Sequence, residues 1–303
     1  MLGCRIRGWH VNARLCLSTA GCTRCFGGLS CYSAYKRVRL CDKPSFSLCC
    51  KSAELLRQGS HLAVLLDARL LESPLGNVIR TQSLPLAERI LSEWRGQLGR
   101  LTRFDTVPTT MLLAESLDLR PGARARIVDA LLDGLKFDTV LRFDLAQVVE
   151  LPPLDEVDDR SLSQIAALDI DVLQSSYLVP ILHAFSRRRG TSMLAPSGSI
   201  TCYPCQPGDV AEHVRQALRG LTNAQIIAMW KLHRSLKSVI LPLELLDGAI
   251  TASQAVRAAR LEETLQAANW GLFDDFREAE SRALLEIETS LFFQHCHSDS
   301  MSC

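Results

Sequence analysis

Glu262, Glu263, Gln266, Trp270 and Asp274 lie in the stretch RLEETLQAANWGLFDDF, residues 260–276, with Asp275 beside the last of them. Positions three and four apart are neighbours on a helix, so a helix ending at Gly271 sets Glu263, Gln266, Ala267 and Trp270 on one side. A carboxylate, an amide and an indole then share a face, followed one turn later by Asp274. Paired carboxylates can move protons, but that work needs two of them held across a substrate. No nucleophile, phosphate loop or metal set stands near this stretch, so the chemistry it suits is the gripping of a protein surface. Read from the residues alone, ordinary amphipathic packing is favoured, with Trp270 buried and Glu262 and Glu263 solvated.

Other chemistries find little to stand on. The chain has no G-x-S-x-G, no G-x-x-x-x-G-K-[ST] and no G-x-G-x-x-G that opens a helix after a strand. His233 falls on the apolar stripe of a predicted helix with no carboxylate or thiol spaced to pair with it, and reads as a satisfied core histidine. Cys22-x-x-Cys25 and Cys202-x-x-Cys205 each offer half of a zinc spacing. A structural zinc wants four ligands, and adding Cys296 with His295 or His297 draws on the chain end. Reduced thiols are the expected state. The run Asp155, Glu156, Asp158, Asp159 reads as a solvated loop, since like charges together avoid burial. The expectation is a protein that is not an enzyme and holds no cofactor and no metal.

The elements that must position these residues fall into two styles. Residues 35–40 alternate as a strand. After a polar interval, the apolar run His61–Leu66, a turn at Asp67-Ala68-Arg69, Leu70-Leu71, a turn cluster at 73–77 and Val78–Thr81 suggest hairpins. Leu84–Leu98 is an amphipathic helix, with Leu84, Ala87, Leu91, Trp94 and Leu98 inward and Glu88, Arg89, Ser92 and Arg95 outward. Trp94 reads as core. Arg120-Pro121-Gly122 marks a boundary, beyond which helical patterns dominate. Ala123–Leu135 carries Ile127, Ala130, Leu131 and Gly134 on one side. The acidic, Pro-containing 151–171 reads as an insertion or linker. Helix signals resume from Leu178 to Arg189, where Arg187, Arg188 and Arg189 suit a helix C-terminus. Asp209 is expected to cap a helix to about Arg219. Thr222-x-x-Gln225 opens Ala224–Leu241, with Pro242 ending or kinking it, and Thr251-x-x-Gln254 caps the helix of the 260–271 stretch. Phe273–Phe293 forms the last helix.

The 260–276 stretch also resembles the signature of the F(1) complex assembly factor 2 family, mitochondrial and alphaproteobacterial chaperones of ATP synthase. Arg260, Leu261, Glu262, Glu263, Gln266, Trp270, Gly271 and Asp274 fall on that family's positions. Leu265 stands where an aromatic is usual. A second segment, LLDARLLESPLGNVIRTQSLPLAERILSEW, is similar at Asp67, Arg69, Leu71, Pro74, Leu84, Ala87, Glu93, Trp94 and Gln97. Ala68 there replaces the usual turn glycine and Ser73 a threonine. Pro108 and Asp118, then Asp138 and Thr139 with the rings of Phe137 and Phe143, carry the middle of the chain. The resemblance implies that the partner is the unassembled alpha subunit of the F(1) sector, shielded until the beta subunit replaces it. Glu262, Glu263, Gln266, Trp270 and Asp274 are the candidate contacts. A helical scaffold in another mitochondrial complex is the alternative.

The apolar fraction of 47% and charged fraction of 22% are those of a globular protein. The net charge of +1 hides an uneven start: residues 1–32 contain Arg5, Arg7, Arg14 and Arg24 and no acid. Without those arginines, 30 basic residues face 33 acidic ones, a mildly acidic body unsuited to nucleic acid. The basic start reads as a mitochondrial transit peptide. No run approaches the ~18 apolar residues of a membrane span, so a matrix protein without membrane insertion is expected. Eight of the twelve cysteines lie in the first fifty residues, too uneven for a disulfide framework. The expected fold class is α+β. A small N-terminal antiparallel β domain (33–121) follows the leader, and a larger all-helical domain (122–296) precedes a short tail (297–303).

Overall fold

The computed structural model describes residues 35–40, 48–100, 106–156, 163–199, 205–271 and 274–298. The expected leader, Cys202, Asp158 and Asp159 lie outside those residues. The chain divides into two compact units, Met1–Val107 and Pro108–Cys303. The Arg120-Pro121-Gly122 break falls inside the second unit, where one helix ends and the next begins.

The first unit holds β1 (Arg37–Arg39), β2 (Ala53–Gln58), β3 (His61–Leu66), β4 (Arg69–Glu72), β5 (Arg80–Thr81) and α1 (Leu84–Gly96). Strand β3 is central, pairing with β2, β4 and β5. That position explains its near-continuous apolar run, buried from Leu62 to Leu66. Strand β2 fell in the polar interval of the sequence because Glu54, Arg57 and Gln58 mask the buried Ala53 and Leu56. Its hairpin with β3 is in register from Ala53↔Leu66 to Gln58↔His61. The turn from β3 to β4 uses Asp67 and Ala68, both left-handed at φ 48° and 58°, as a two-residue primed turn requires. The Asp67 carboxylate fixes that turn by accepting the amides of Lys51 (2.8 Å) and Ser52 (2.9 Å).

The sheet is mixed, not wholly antiparallel, because β4 leaves β3 and runs parallel beside β1, Arg37↔Leu70 to Arg39↔Glu72. Burying Glu72 there requires compensation. Arg37 supplies it at 2.5 Å and Arg39 at 3.3 Å. Helix α1 is capped by Ser83 and lays Leu86, Ala87, Ile90, Leu91 and Trp94 on β2, β3 and β5. The inward stripe thus begins at Leu86, and Leu84, expected inward, is exposed at the first position of the helix.

The second unit is helical, which bears out the α+β class. It comprises α2 (Pro108–Asp118), α3 (Pro121–Gly134), α4 (Ile170–Arg189), α5 (Gly208–Gly220), α6 (Asn223–Leu236), α7 (Ile240–Leu246), α8 (Ala252–Ala259), α9 (Leu261–Trp270) and α10 (Asp274–Ser298). Helix α6 is the hub, packed by α2, α3, α7 and α10. Gly134 of α3 lets it approach closely; a Cβ there would lie 2.9 Å from the His233 ring. His233 itself is partnered by the Ser238 carbonyl at 2.9 Å. On α3, Leu131 and Gly134 point inward as expected, but Ala130 is exposed and Val128 takes its place in the core.

Four boundaries differ from expectation, each for a local reason. Helix α4 begins at Ile170, well before Leu178, because buried Gln174, Ser175 and Ser176 interrupt its apolar pattern. Asp209 lies in the first turn of α5, not at its cap; its carboxylate accepts the Ser192 amide at 2.6 Å, and that bond holds its pKa below the ordinary value. The helix opened by the Thr222–Gln225 capping box ends at Leu236, where Lys237 turns left-handed. Pro242 sits in the first turn of α7, where a missing N–H costs nothing. The Thr251–Gln254 box caps α8, and α9 is a separate helix beyond Arg260.

Asp138 explains the third of these differences, the break between α6 and α7. Its side chain is fully buried and accepts the amides of Val140 (3.2 Å), Val239 (2.7 Å) and Ile240 (3.1 Å). It thus ties a 3₁₀ turn at Thr139–Leu141 to the start of α7. Burial pushes its pKa up, and the amide and Ser238 hydrogen bonds oppose that rise. The arginine run at the end of α4 also has partners more specific than the helix dipole. Arg188 pairs with buried Glu244 and Arg189 with Asp247, while Arg189 stacks over Phe185 at 4.8 Å.

Candidate functional site

Helix α9 is short and leans on α4 and α8. Among its residues only Leu261 and Ala267 are buried; Leu265 and Ala268 pack half-buried against the core beside them, and Glu262, Glu263, Gln266, Asn269 and Trp270 face solvent. Glu262 and Glu263 occupy its first turn, where the exposed amides of a helix start favour negative charge. Gly271, at φ 93°, ends it.

Burial of Ala267 interrupts the predicted face. Glu263, Gln266 and Trp270 of that face are exposed, and Glu262 and Asn269 lie open beside them. The indole expected in the core is 72% exposed. Among the described residues, no hydrogen bond or ion pair engages the side chains of Glu262, Gln266 or Trp270. Glu263 behaves differently. Its carboxylate pairs with Arg260, whose guanidinium lies 4.8 Å above the Phe276 ring of α10. Glu263 therefore has a structural tie as well as an exposed side. Asp274 begins α10 beyond Gly271, and its side chain lies outside the described residues.

The support beneath this face is rigid. Arg257 of α8 donates to Glu280 of α10 at 3.1 Å and to the Leu154 carbonyl at 2.6 Å. The Thr264 hydroxyl donates back to the Arg260 carbonyl at 2.9 Å. A fixed backbone carrying an exposed indole, an amide and a carboxylate is an arrangement for binding, since aromatic anchors ringed by polar groups dominate protein interfaces. Among the described residues of this face no thiol, hydroxyl or histidine is paired to a base. Among the described residues no group of three or more His, Cys, Asp or Glu side chains is placed to hold a metal. Cys49, Cys50 and Cys205 are free thiols. No described helix is long and apolar enough to cross a membrane.

The exposure of Trp270 was not legible in its sequence. Its spacing fits a buried stripe as well as an open one; only the splitting of 251–271 into two helices at Arg260 turns it outward.

Known proteins share this architecture. Residues 35–176 match the family described as ATP12 chaperone protein. Over 280 residues the chain is 24% identical to Protein atp12, mitochondrial, of Schizosaccharomyces pombe, covering 89% of this chain and 90% of that one. Among solved structures, Atp12 from Paracoccus denitrificans matches with a TM-score of 0.62 at 21% identity, over 81% of this chain and 95% of that one. Atu1473 from Agrobacterium tumefaciens, described as a chaperone, matches with a TM-score of 0.63 at 18% identity, over 81% and 84%. At those identities the two structures speak for the fold.

Proposed function

We propose that the chain is a member of the ATP12 chaperone protein family, whose model its residues 35–176 match, and that it captures the unassembled alpha subunit of the F(1) sector of ATP synthase. The α9 face carries the reading: an indole 72% exposed at the end of a short helix, with Gln266 one turn and Glu262 two turns before it. Solvent-exposed tryptophan is costly to leave in water unless something covers it, and burying a side chain of that size is worth ~2 kcal/mol or more at an interface centre. Glu263 supplies a charged rim, and Asp274 is kept as a candidate contact. The chaperone holds the alpha surface until the beta subunit takes its place. The relative from Schizosaccharomyces pombe is a mitochondrial protein, and the basic, acid-free start of this chain suits import; the matrix is the proposed compartment.

Purified alpha subunit, mixed with the tagged protein and analysed by pulldown and mass spectrometry, tests this. The expected result is a complex of the protein with alpha alone, without beta or stalk subunits. Recovery of another mitochondrial assembly with no alpha subunit would overturn the assignment of the client. Charge reversal at Glu262 or Asp274 should weaken capture while the thermal midpoint stays put.

A further inference from the structure

Between the 3₁₀ turns at Thr139–Leu141 and Leu154–Glu156, residues 143–152 form neither helix nor strand. The segment is nevertheless pinned at every third residue. The Ala146 amide donates to Ser175 Oγ at 2.9 Å, the Val149 amide to Ser176 Oγ at 3.0 Å, and the Tyr177 hydroxyl to the Pro152 carbonyl at 2.9 Å. Three consecutive residues of α4 thus hold three positions of the segment, which accounts for the polar core of that helix.

Burial repeats with the same step. Phe143 is buried, and Ala146, Val149 and Pro152 are half-buried on α4. Leu145 and Val148 are 67% and 51% exposed, with Leu151 half-buried at the end of their row. Asp144, Gln147 and Glu150 form the third row, all exposed. A three-residue repeat is also the step of a polyproline II helix, a form that Pro152-Pro153 favour. The segment is an outward ridge, held by its three hydrogen bonds to α4, with an apolar row beside a polar one. Its charge is one-sided: residues 143–156 contain Asp144, Glu150, Asp155 and Glu156 and no lysine or arginine.

We propose that this ridge is a second client contact, receiving a cationic, apolar segment of the same unassembled subunit that the α9 face holds. The inference rests on that reading of function. Leu145 and Val148 meet the segment's apolar side chains, and Glu150, Asp155 and Glu156 meet its lysines or arginines. Because the ridge is already extended and held, binding orders little of it, which favours affinity. Charge complementarity of this kind also speeds encounter and makes it sensitive to salt.

The test is titration of purified alpha subunit into the full chain and two double variants, L145S/V148S and E150K/E156K, at low and high salt. All four side chains are exposed, so both variants should keep the circular dichroism and thermal midpoint of the parent. L145S/V148S should bind at least ~10-fold more weakly, as loss of two interface apolar groups implies. E150K/E156K should bind more weakly at low salt and lose most of the salt dependence. Parent-like binding by both variants would overturn the ridge and leave the α9 reading intact. A parent chain that fails to bind alpha would overturn the functional reading, and the ridge with it.

Discussion

Trp94 and Trp270 each close a helix, α1 in the first unit and α9 in the second, and the two could hardly be used more differently. Trp94 is fully buried among side chains that face the sheet, and Trp270 is 72% exposed. Helix α1 has a broad inward stripe, Leu86, Ala87, Ile90, Leu91 and Trp94, because a sheet offers a flat surface along its whole length. Helix α9 has two buried anchors and touches its neighbours over a small area. The contrast teaches that the same residue at the same helical spacing is core or contact according to the width of what lies beneath it.

The largest effect should come from breaking the buried end. Trp94→Ala removes a large ring from a close-packed site and should cost ~3–5 kcal/mol, measurable as a fall in the urea midpoint. A loss below ~1 kcal/mol would mean that the first unit repacks freely around the gap, and the contrast would weaken.

The complementary change is Trp270→Ala. Its expected effect on stability is within ~0.5 kcal/mol, as for surface positions generally. Its expected effect on capture is ~2 kcal/mol, about 30-fold in affinity for the alpha subunit. Unchanged affinity in a titration, or a large loss of stability, would each put the indole outside the contact.

Much of this contrast was hidden in the sequence. The order of elements, the hairpin run from His61, the Thr222 capping box and the core role of Trp94 were readable because periodicity and cap chemistry are local signals. The face of α9 was not, because its orientation depends on Ala267 meeting other helices. Nor was the start of α4 readable, since Gln174, Ser175 and Ser176 look like surface. They are buried because a strandless segment presses its amides onto the serines. Within 151–171, read from composition as an insertion or linker, Leu154 and Ile165 are buried for the same reason: partners distant in sequence decide burial.

Buried Asp138 sharpens the comparison within the second unit, since it is a carboxylate that serves folding while Glu262 faces solvent. Its pKa is raised by burial. A carboxyl whose folded pKa lies above the unfolded one binds more protons in the native state, so stability falls as pH rises through that window. The parent should therefore lose stability relative to Asp138→Asn as pH climbs from the ordinary carboxylate range through the raised value, and the difference should level off above it. Thermal midpoints of both proteins across acid to neutral pH provide the check. A difference that grows in the opposite direction would mean that the amide bonds outweigh burial and hold the carboxylate ionised.

The smallest effect should come from Ala68, which sits in the first unit with φ at 58° beside Asp67 at 48°. An L side chain in the left-handed region costs ~1–2 kcal/mol, and glycine avoids that cost. Glycine also loses more freedom on folding, ~0.4–1 kcal/mol. The turn geometry is held independently by the Asp67 carboxylate on the Lys51 and Ser52 amides, so Ala68→Gly changes the strain without changing the register. The net expectation is a gain of about 0.5–1 kcal/mol in the denaturation midpoint, with capture of the alpha subunit unaltered. A fall in the midpoint would show that the turn relaxes its dihedrals in solution. Altered capture would mean that the first unit takes part in binding, and the division between a unit read through its core and a unit read through its surface would have to be redrawn.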